Sequence, residues 1–251
     1  MRTGVDHRSE FGDFTEAGYR ELLQLAGAHY RFARFSDDSA DRHVLWRHDI
    51  DISVNRAVRL AEIEAEHGVV ATYFLHLRSP FYNLLNPEML QRVRRIIMLG
   101  HDIGLHFDPS RYDEGLSRSA LEAAIGAESD LLAREFGTPP RAVSFHDIST
   151  LLDPVPDDDR LCGLVNAYSQ RLRDNYAYVS DSNGVWLYRR LRDVLAAAAE
   201  DRLQVLTHPE WWTPEIMAPR QRVQRAIDGH AAAMARRYDA TLAAVDRPNV
   251  R

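Results

Sequence analysis

The sequence predicts an α/β protein in which parallel strands are covered by helices. Short apolar runs alternate with longer segments of helical periodicity about six times along the chain. Glycine, proline or a capping residue stands at most of the boundaries between these segments. No Gly- or Ser-rich linker interrupts the pattern. We therefore expect residues 1–251 to form a single domain, with the informative motifs between about 43 and 212.

Each predicted element follows from its own local signals. Strands are expected where β-branched and aromatic residues cluster, at 43–50, 69–77, 102–107, 142–146, 176–180 and 203–207. Ser53 caps a predicted helix that Gly68 ends, and Asn86 followed by Pro87 opens the next, which ends at Gly100. Longer helices are expected at 117–136 and 220–244. Residues 1–12 are expected to be a loose tail and 151–160 a surface loop.

Composition excludes several functions. The net charge is −6, so the chain carries no overall electrostatic footprint for nucleic acid, and no apolar run approaches the length of a membrane span. The single cysteine, Cys162, rules out an intrachain disulfide. All 31 basic residues are arginine, which excludes Schiff-base and P-loop lysine chemistry. Because the first residues do not look like a secretory signal, a cytoplasmic location is expected.

Polar clusters end the predicted strands. They read RHDID at 47–51, GHDIGLHFD at 100–108, SFHD at 144–147, SDSNGVW at 180–186 and LTHPEWW at 206–212. Carboxyl ends of parallel strands meet on one side of a sheet, so these side chains are expected to converge. The converging set is Asp49, Asp51, His106, Asp108, His146, Asp181 and His208.

Carboxylate and imidazole together are ligands for divalent metals. Asp49 and Asp51 lie two residues apart, so on a strand both would point to one side, where one could bind a metal while the other stays free as a base. The isolated His43, His67 and His76 are interpreted as hydrogen-bonded core residues. Trp211 and its neighbour could equally be core or a pocket wall.

In this order the five clusters resemble the motifs of the NodB-homology polysaccharide deacetylases, carbohydrate esterase family four, and most closely a branch with an RHDVD-type first motif. The resemblance implies a distorted (β/α)7-type barrel. It implies a metal-dependent hydrolase that removes an N-acetyl or other N-acyl group from an amino sugar or a sugar-containing metabolite. It also implies one divalent metal ion, most naturally zinc, and a small-molecule or saccharide substrate.

The resemblance also implies roles for single residues. The family's base corresponds to Asp49, and its metal-binding aspartate and histidine correspond to Asp51 and His106. The general acid corresponds to His208, and the residue that supports this acid corresponds to Asp181. Substrate contacts would come from His146, Trp186 and Trp211.

One departure leaves the third metal ligand open. The second family motif has a further histidine four residues on, where this chain has Ser110. Asp108 is the first candidate, His146 the second and His101 the third, and a two-ligand site completed by water is a further option. His146 stands where the family carries an arginine that orients the base.

Two other functions remain open on the sequence alone. The missing histidine is compatible with a degenerate, non-catalytic barrel that only binds sugar. The pair His106 and Asp108, with His146 or His208, is also the pattern of a 2-His-1-carboxylate iron enzyme, although its usual host is β-rich. A measurement of metal content would distinguish the sugar-binding barrel from a metal-dependent hydrolase.

Overall fold

The computed structural model describes residues 11–37, 39–112, 117–147, 156–186 and 188–250. Seven helices and ten strands occur in these ranges. The helices are α1 (Glu16–His29), α2 (Val54–Glu66), α3 (Pro87–Met98), α4 (Arg118–Phe136), α5 (Gln170–Asn175), α6 (Leu191–Ala197) and α7 (Pro219–Ala244). The strands are β1 (Arg31–Ala33), β2 (His43–Ile50), β3 (Thr72–Leu75), β4 (Asp102–Phe107), β5 (Ala142–Phe145), β6 (Arg160–Leu161), β7 (Leu164–Asn166), β8 (Ala177–Ser182), β9 (Val185–Trp186) and β10 (Arg202–Thr207).

Seven strands form a continuous parallel run in the order β7-β5-β4-β3-β2-β10-β8. Two short antiparallel strands flank it, β6 on β7 and β9 on β8. The first half of β2 also pairs with β1, and its second half pairs with β3. The predicted α/β class with parallel strands is confirmed.

The sheet curls into a distorted barrel. Among the described residues, β7 and β8 end the parallel run and do not pair with each other. Gln204 of β10 nevertheless donates to the carbonyl of Ala167, and Arg47 of β2 donates to the hydroxyl of Tyr168. Both acceptors follow β7, so side chains from the middle of the sheet reach its far end. We call the unpaired gap between β7 and β8 the seam.

Strand β2 shows how the barrel is filled. All eight of its residues are buried, and alternate side chains take opposite faces. Leu45 packs with Phe74 inside the barrel, whereas Trp46 packs in the outer core beneath the helices. A Cβ on Gly104 of β4 would lie 2.5 Å from the Phe74 ring, so glycine is needed there. The same alternation places Arg47 and Asp49 on the inner face, near the carboxyl end of β2.

A buried polar cluster joins the outer face of the sheet to the helices. Glu64 of α2 accepts hydrogen bonds from the hydroxyls of Tyr19 and Tyr73 and lies 2.6 Å from His48 Nε2. The other ring nitrogen of His48 lies 2.7 Å from Thr207 Oγ1. Burial alone would raise the pKa of Glu64, but His48 lowers it below its ordinary value. The cluster therefore anchors β2 and β10 at the residues next to Asp49 and His208.

Several elements differ from the sequence expectation. Strand β3 starts three residues later than expected, because Gly68 (φ +67°) and the bond from Val69 N to the Glu64 carbonyl close the end of α2. The predicted caps at Ser53 and Asn86 are confirmed, and the structure adds one at Ser117. Helices α1, α5 and α6 and the short strands were not predicted. The expected tail and loop fall largely on 1–10 and 151–155, outside the described residues.

The helices in the described part of the chain include none that is long and apolar enough to cross a membrane.

Candidate active site

The carboxyl ends of the strands bring most of the predicted residues around one cavity of about 470 Å³. Its lining includes Asp49, Asp51, His106, His146, His208, Glu210 and Trp211. Asp49 and His106 are almost completely buried, and Asp51 and His208 are partly accessible from the cavity. The convergence expected from the strand ends is therefore present in the structure.

Three potential ligand atoms form a compact triangle. Asp51 Oδ1 lies 3.1 Å from His106 Nε2 and 3.6 Å from His146 Nδ1, and the two histidine nitrogens are 3.3 Å apart. Tetrahedral coordination with bonds of about 2.0–2.1 Å separates ligand atoms by about 3.4 Å. Asp51 Oδ1 is buried and makes no hydrogen bond to a described residue. These residues therefore fit a divalent metal.

Ser144 of β5 orients one corner of this triangle. Its hydroxyl lies 2.7 Å from His106 Nδ1, so the other ring nitrogen of His106 faces Asp51. Metal-binding histidines usually engage their second nitrogen in this way, which fixes the ring and its tautomer.

The imidazole of His76, interpreted from sequence as a hydrogen-bonded core group, makes no hydrogen bond to a described residue. Both of its ring nitrogens are buried without a hydrogen bond, although Nε2 lies 3.5 Å from Asp108 Oδ2. His43 and His67 instead bond to Tyr176 and to the Ile63 carbonyl. Ligand atoms of Asp51, His76 and His146 all lie within 4.8 Å of one another. Burial, together with the neighbouring His106 and His146, lowers the pKa of His76 to about 4. A neutral imidazole beside the triangle is a suitable fourth ligand.

The other two candidates for the third ligand are engaged elsewhere. Asp108 accepts from the backbone N–H of Ser110, and its second oxygen lies 3.5 Å from His76 Nε2, so it stands behind His76. His101 accepts from Ala71 N at Nδ1, which leaves Nε2 to donate to the Ala61 carbonyl. His146 is therefore better placed than Asp108 or His101 to be the third metal ligand.

Arg47 holds Asp49. Its Nη2 donates to Asp49 Oδ2 at 3.0 Å and to the Tyr168 hydroxyl at 3.0 Å, while the guanidinium packs over the rings of Phe74 and Tyr168. The other carboxylate oxygen, Asp49 Oδ1, is buried without a hydrogen-bond partner among the described residues. One oxygen is thus fixed and the other is available to accept a proton.

Asp181 holds His208. Its carboxylate lies 2.6 Å from His208 Nδ1, accepts from the backbone N–H of the same residue and accepts from Trp212 Nε1 at 3.2 Å. Burial alone would lower the pKa of His208, but Asp181 raises it to about 10. The ring is therefore protonated at neutral pH, and its Nε2 lies 3.7 Å from Asp51 Oδ2.

The two predicted tryptophans separate. Trp211 lines the cavity. Trp186 lies outside the cavity lining, stacked 5.0 Å from Phe14 with its indole N–H on Asp13. The question of wall or core, left open for Trp211 and its neighbour, is answered as wall for Trp211 and as core for Trp212, which is completely buried.

Sequence reasoning missed three residues of the site: Arg47, His76 and Glu210. Arg47 and Glu210 stand inside quoted clusters but received no role. His76 follows β3 and so shares the strand-end position that singled out the others. Burial and the charge of Asp51 raise the pKa of Glu210 well above its ordinary value, and its Oε2 is buried without a partner among the described residues.

No protein-family model and no curated protein matches the chain. Among solved structures it is similar to a mutant of a CE4 family pseudoenzyme with restored enzymatic activity (14% identity, 78% of this chain and 64% of that one, TM-score 0.47). It is also similar to a family 4 acetyl xylan esterase from Clostridium thermocellum in complex with a cobalt ion (18%, 76% and 84%, 0.41). A third is the chitin deacetylase of Colletotrichum lindemuthianum (15%, 74% and 81%, 0.41). The chain thus spans less than two thirds of the first of these proteins.

Proposed function

We propose that this protein is a metal-dependent amide hydrolase that removes an N-acetyl or other N-acyl group from an amino sugar, as the resemblance of its motifs implies. The observation that carries the proposal is the pairing of a carboxylate and a protonated histidine around one set of metal ligands. Asp49 Oδ2 lies 3.6 Å from His106 Nδ1, and His208 Nε2 lies 3.7 Å from Asp51 Oδ2.

Asp51, His106 and His146 would hold the metal, with His76 as a fourth ligand, and zinc suits this nitrogen and oxygen set. A divalent ion there would supply Lewis acidity that polarises the amide carbonyl. The same 2-His-1-carboxylate set occurs in non-haem iron enzymes. Asp49 and His208 beside it favour hydrolysis, because amide cleavage needs one group that accepts a proton and one group that donates a proton.

Asp49 and His208 divide the proton transfers between them. Asp49 takes a proton from water at its free Oδ1 while Arg47 holds Oδ2. The water oxygen bonds to the acyl carbon, and the carbon–nitrogen bond then breaks. His208 Nε2 gives its proton to the departing nitrogen, since Asp181 holds Nδ1 and keeps the ring charged. The products are a carboxylic acid and a free amine.

The test combines metal content with acyl release. The wild-type protein is expected to hold about one equivalent of divalent metal and to release acetate from N-acetylated sugars. Asp49→Asn should keep the metal and lose roughly 10²–10⁴-fold in turnover, because the base is gone and the ligands remain. Asp201→Asn makes the same chemical change at the exposed residue preceding β10, at the opposite end of the barrel, and should behave as wild type.

Two results would overturn the proposal. Full turnover by Asp49→Asn would show that Asp49 is not the general base. Failure of the wild-type protein to bind any divalent metal would show that the proposed ligands do not form a metal site. Activity that depends on iron and oxygen would point instead to an oxygenase.

A further inference from the structure

A second cavity, of about 760 Å³, adjoins the active-site cavity. It lies between the loop after β3, the start of α3 and one face of α7. Of the described residues, Glu210 alone lines both cavities. Glu210 therefore stands where the two cavities meet, and we call this second space the cationic cleft.

The cleft is rich in positive charge although the chain as a whole carries −6. Six arginines and two glutamates line it. Arg236 and Arg237, on the outer part of α7, make no ion pair within 4.0 Å with a described residue. The other three exposed or half-buried arginines are paired, as Arg56 with Glu16, Arg92 with Glu88 and Arg225 with Glu215.

The inner end of the cleft carries a further, buried cation. Arg222 is 1% exposed, and its guanidinium makes a single hydrogen bond, from Nη2 to the Phe11 carbonyl at 3.0 Å. Its Nε and Nη1 are buried without partners in the described structure. Burial and the charge of Asp51 raise the pKa of the nearby Glu210 carboxyl well above its ordinary value. Positive charge thus exists at both ends of the cleft.

The spacing of these charges sets the length of the ligand. Fourteen residues of α7 separate Arg222 from Arg236, which corresponds to about 21 Å along the helix. This is longer than a single sugar residue. The arginines at the outer end would therefore meet a group well removed from the amide that reacts.

We propose that the cationic cleft binds anionic groups, phosphate or carboxylate, of the saccharide whose N-acyl sugar occupies the active site. Guanidinium forks match both groups and bind them with charge-assisted hydrogen bonds. The inference rests on the proposed hydrolase function for the identity of the reacting sugar, whereas the anion site itself depends only on the charges of the cleft.

Calorimetric binding to the full-length, metal-loaded protein tests the anion site directly. The probes are uridine diphosphate, an oligosaccharide of uronic acids and neutral chitobiose. We expect at least one anionic probe to bind and to weaken as salt is raised. The double variant Arg236→Gln/Arg237→Gln should weaken that binding roughly tenfold. Arg94→Gln/Arg95→Gln is the matched control, since this adjacent pair on α3 does not line the cleft and removes the same charge.

Which anionic probe binds identifies the group as phosphate or carboxylate. Binding of neither, or an equal loss in both double variants, would overturn the inference. Uridine diphosphate contains no N-acyl amino sugar, so its binding survives if the hydrolase proposal fails, and turnover of neutral N-acetyl sugars survives if the cleft proposal fails. If the two sites act on one molecule, the KM for UDP-N-acetylglucosamine will rise in the cleft variant while that for neutral chitobiose stays constant. Equal KM changes for both substrates would contradict the link.

Discussion

Replacing Asp181 by Asn should convert His208 from a permanent cation into a group that titrates near or below neutral pH. The two side chains have the same shape, and an amide oxygen can still accept from the His208 backbone N–H or from Trp212. What is lost is the negative charge 2.6 Å from His208 Nδ1. Burial lowers the pKa of the His208 ring, and in the variant the charge of Asp181 would no longer counteract that effect.

The size of the effect follows from the pKa. The interval between the ordinary value of 6.5 and about 10 corresponds to roughly 5 kcal/mol in favour of the protonated ring, at about 1.4 kcal/mol per pKa unit. Because the folded-state pKa is raised, this stabilisation is complete below about pH 6.5 and is lost as the pH rises through about 10. At pH 7, already above 6.5, about 4 kcal/mol of it remains, and Asp181→Asn should cost up to that amount in unfolding free energy.

Nitrogen-15 NMR of the histidine rings measures the titration, and a pH–rate profile measures its consequence. The wild-type His208 resonance should stay in the protonated position up to about pH 9, and the alkaline limb of activity should lie near pH 10. In Asp181→Asn both should move to pH 7 or below. Asp193→Asn, on α6, is the control. Wild-type titration near 6.5, or an identical profile in Asp181→Asn, would refute the reasoning.

Glu64→Gln should lower the unfolding free energy by about 2–4 kcal/mol in urea, because hydrogen bonds to a charged group contribute about 1.5–3 kcal/mol each. Glu66→Gln, exposed on the same helix, should change it little, and equal losses would contradict this. His146→Ala should weaken zinc binding against a chromophoric chelator by more than 100-fold, whereas Ser144→Ala should cost about 10–100-fold. Wild-type affinity in His146→Ala would place the third ligand elsewhere.

The long elements and the strand-end clusters were predictable because their signals are local. Strand β2 contains the apolar run at 44–46, and Ser53 and Asn86 each cap the helix that begins beside them. Strands β6 and β9 have two residues each, too few for any periodicity to appear. The general architecture could therefore be inferred from the sequence, whereas the short flanking strands could be identified only from the structure.

Within the site, residue types were predictable and partnerships were not. A buried histidine is usually satisfied by a hydrogen bond, and only the folded chain reveals that the imidazole of His76 makes none to a described residue. The choice between Asp108 and His146 likewise depends on contacts across the barrel. Asp108 is nearer to His106 in sequence, but its oxygens face Ser110 and His76, whereas His146 Nδ1 lies 3.3 Å from His106 Nε2.

The seam is a place where the barrel can widen, and it lies close to Asp49, the proposed general base. A closed ring of backbone hydrogen bonds would resist expansion at every strand, but among the described residues no backbone pairing joins β7 to β8, and side chains of β10 and β2 reach the segment after β7 instead. One bridge is the Arg47–Tyr168 contact, and the same guanidinium nitrogen also holds Asp49. Widening of the seam would draw Tyr168 away and leave Asp49 less tightly held. Breathing of the barrel and the readiness of the carboxylate to accept a proton are therefore coupled through one arginine.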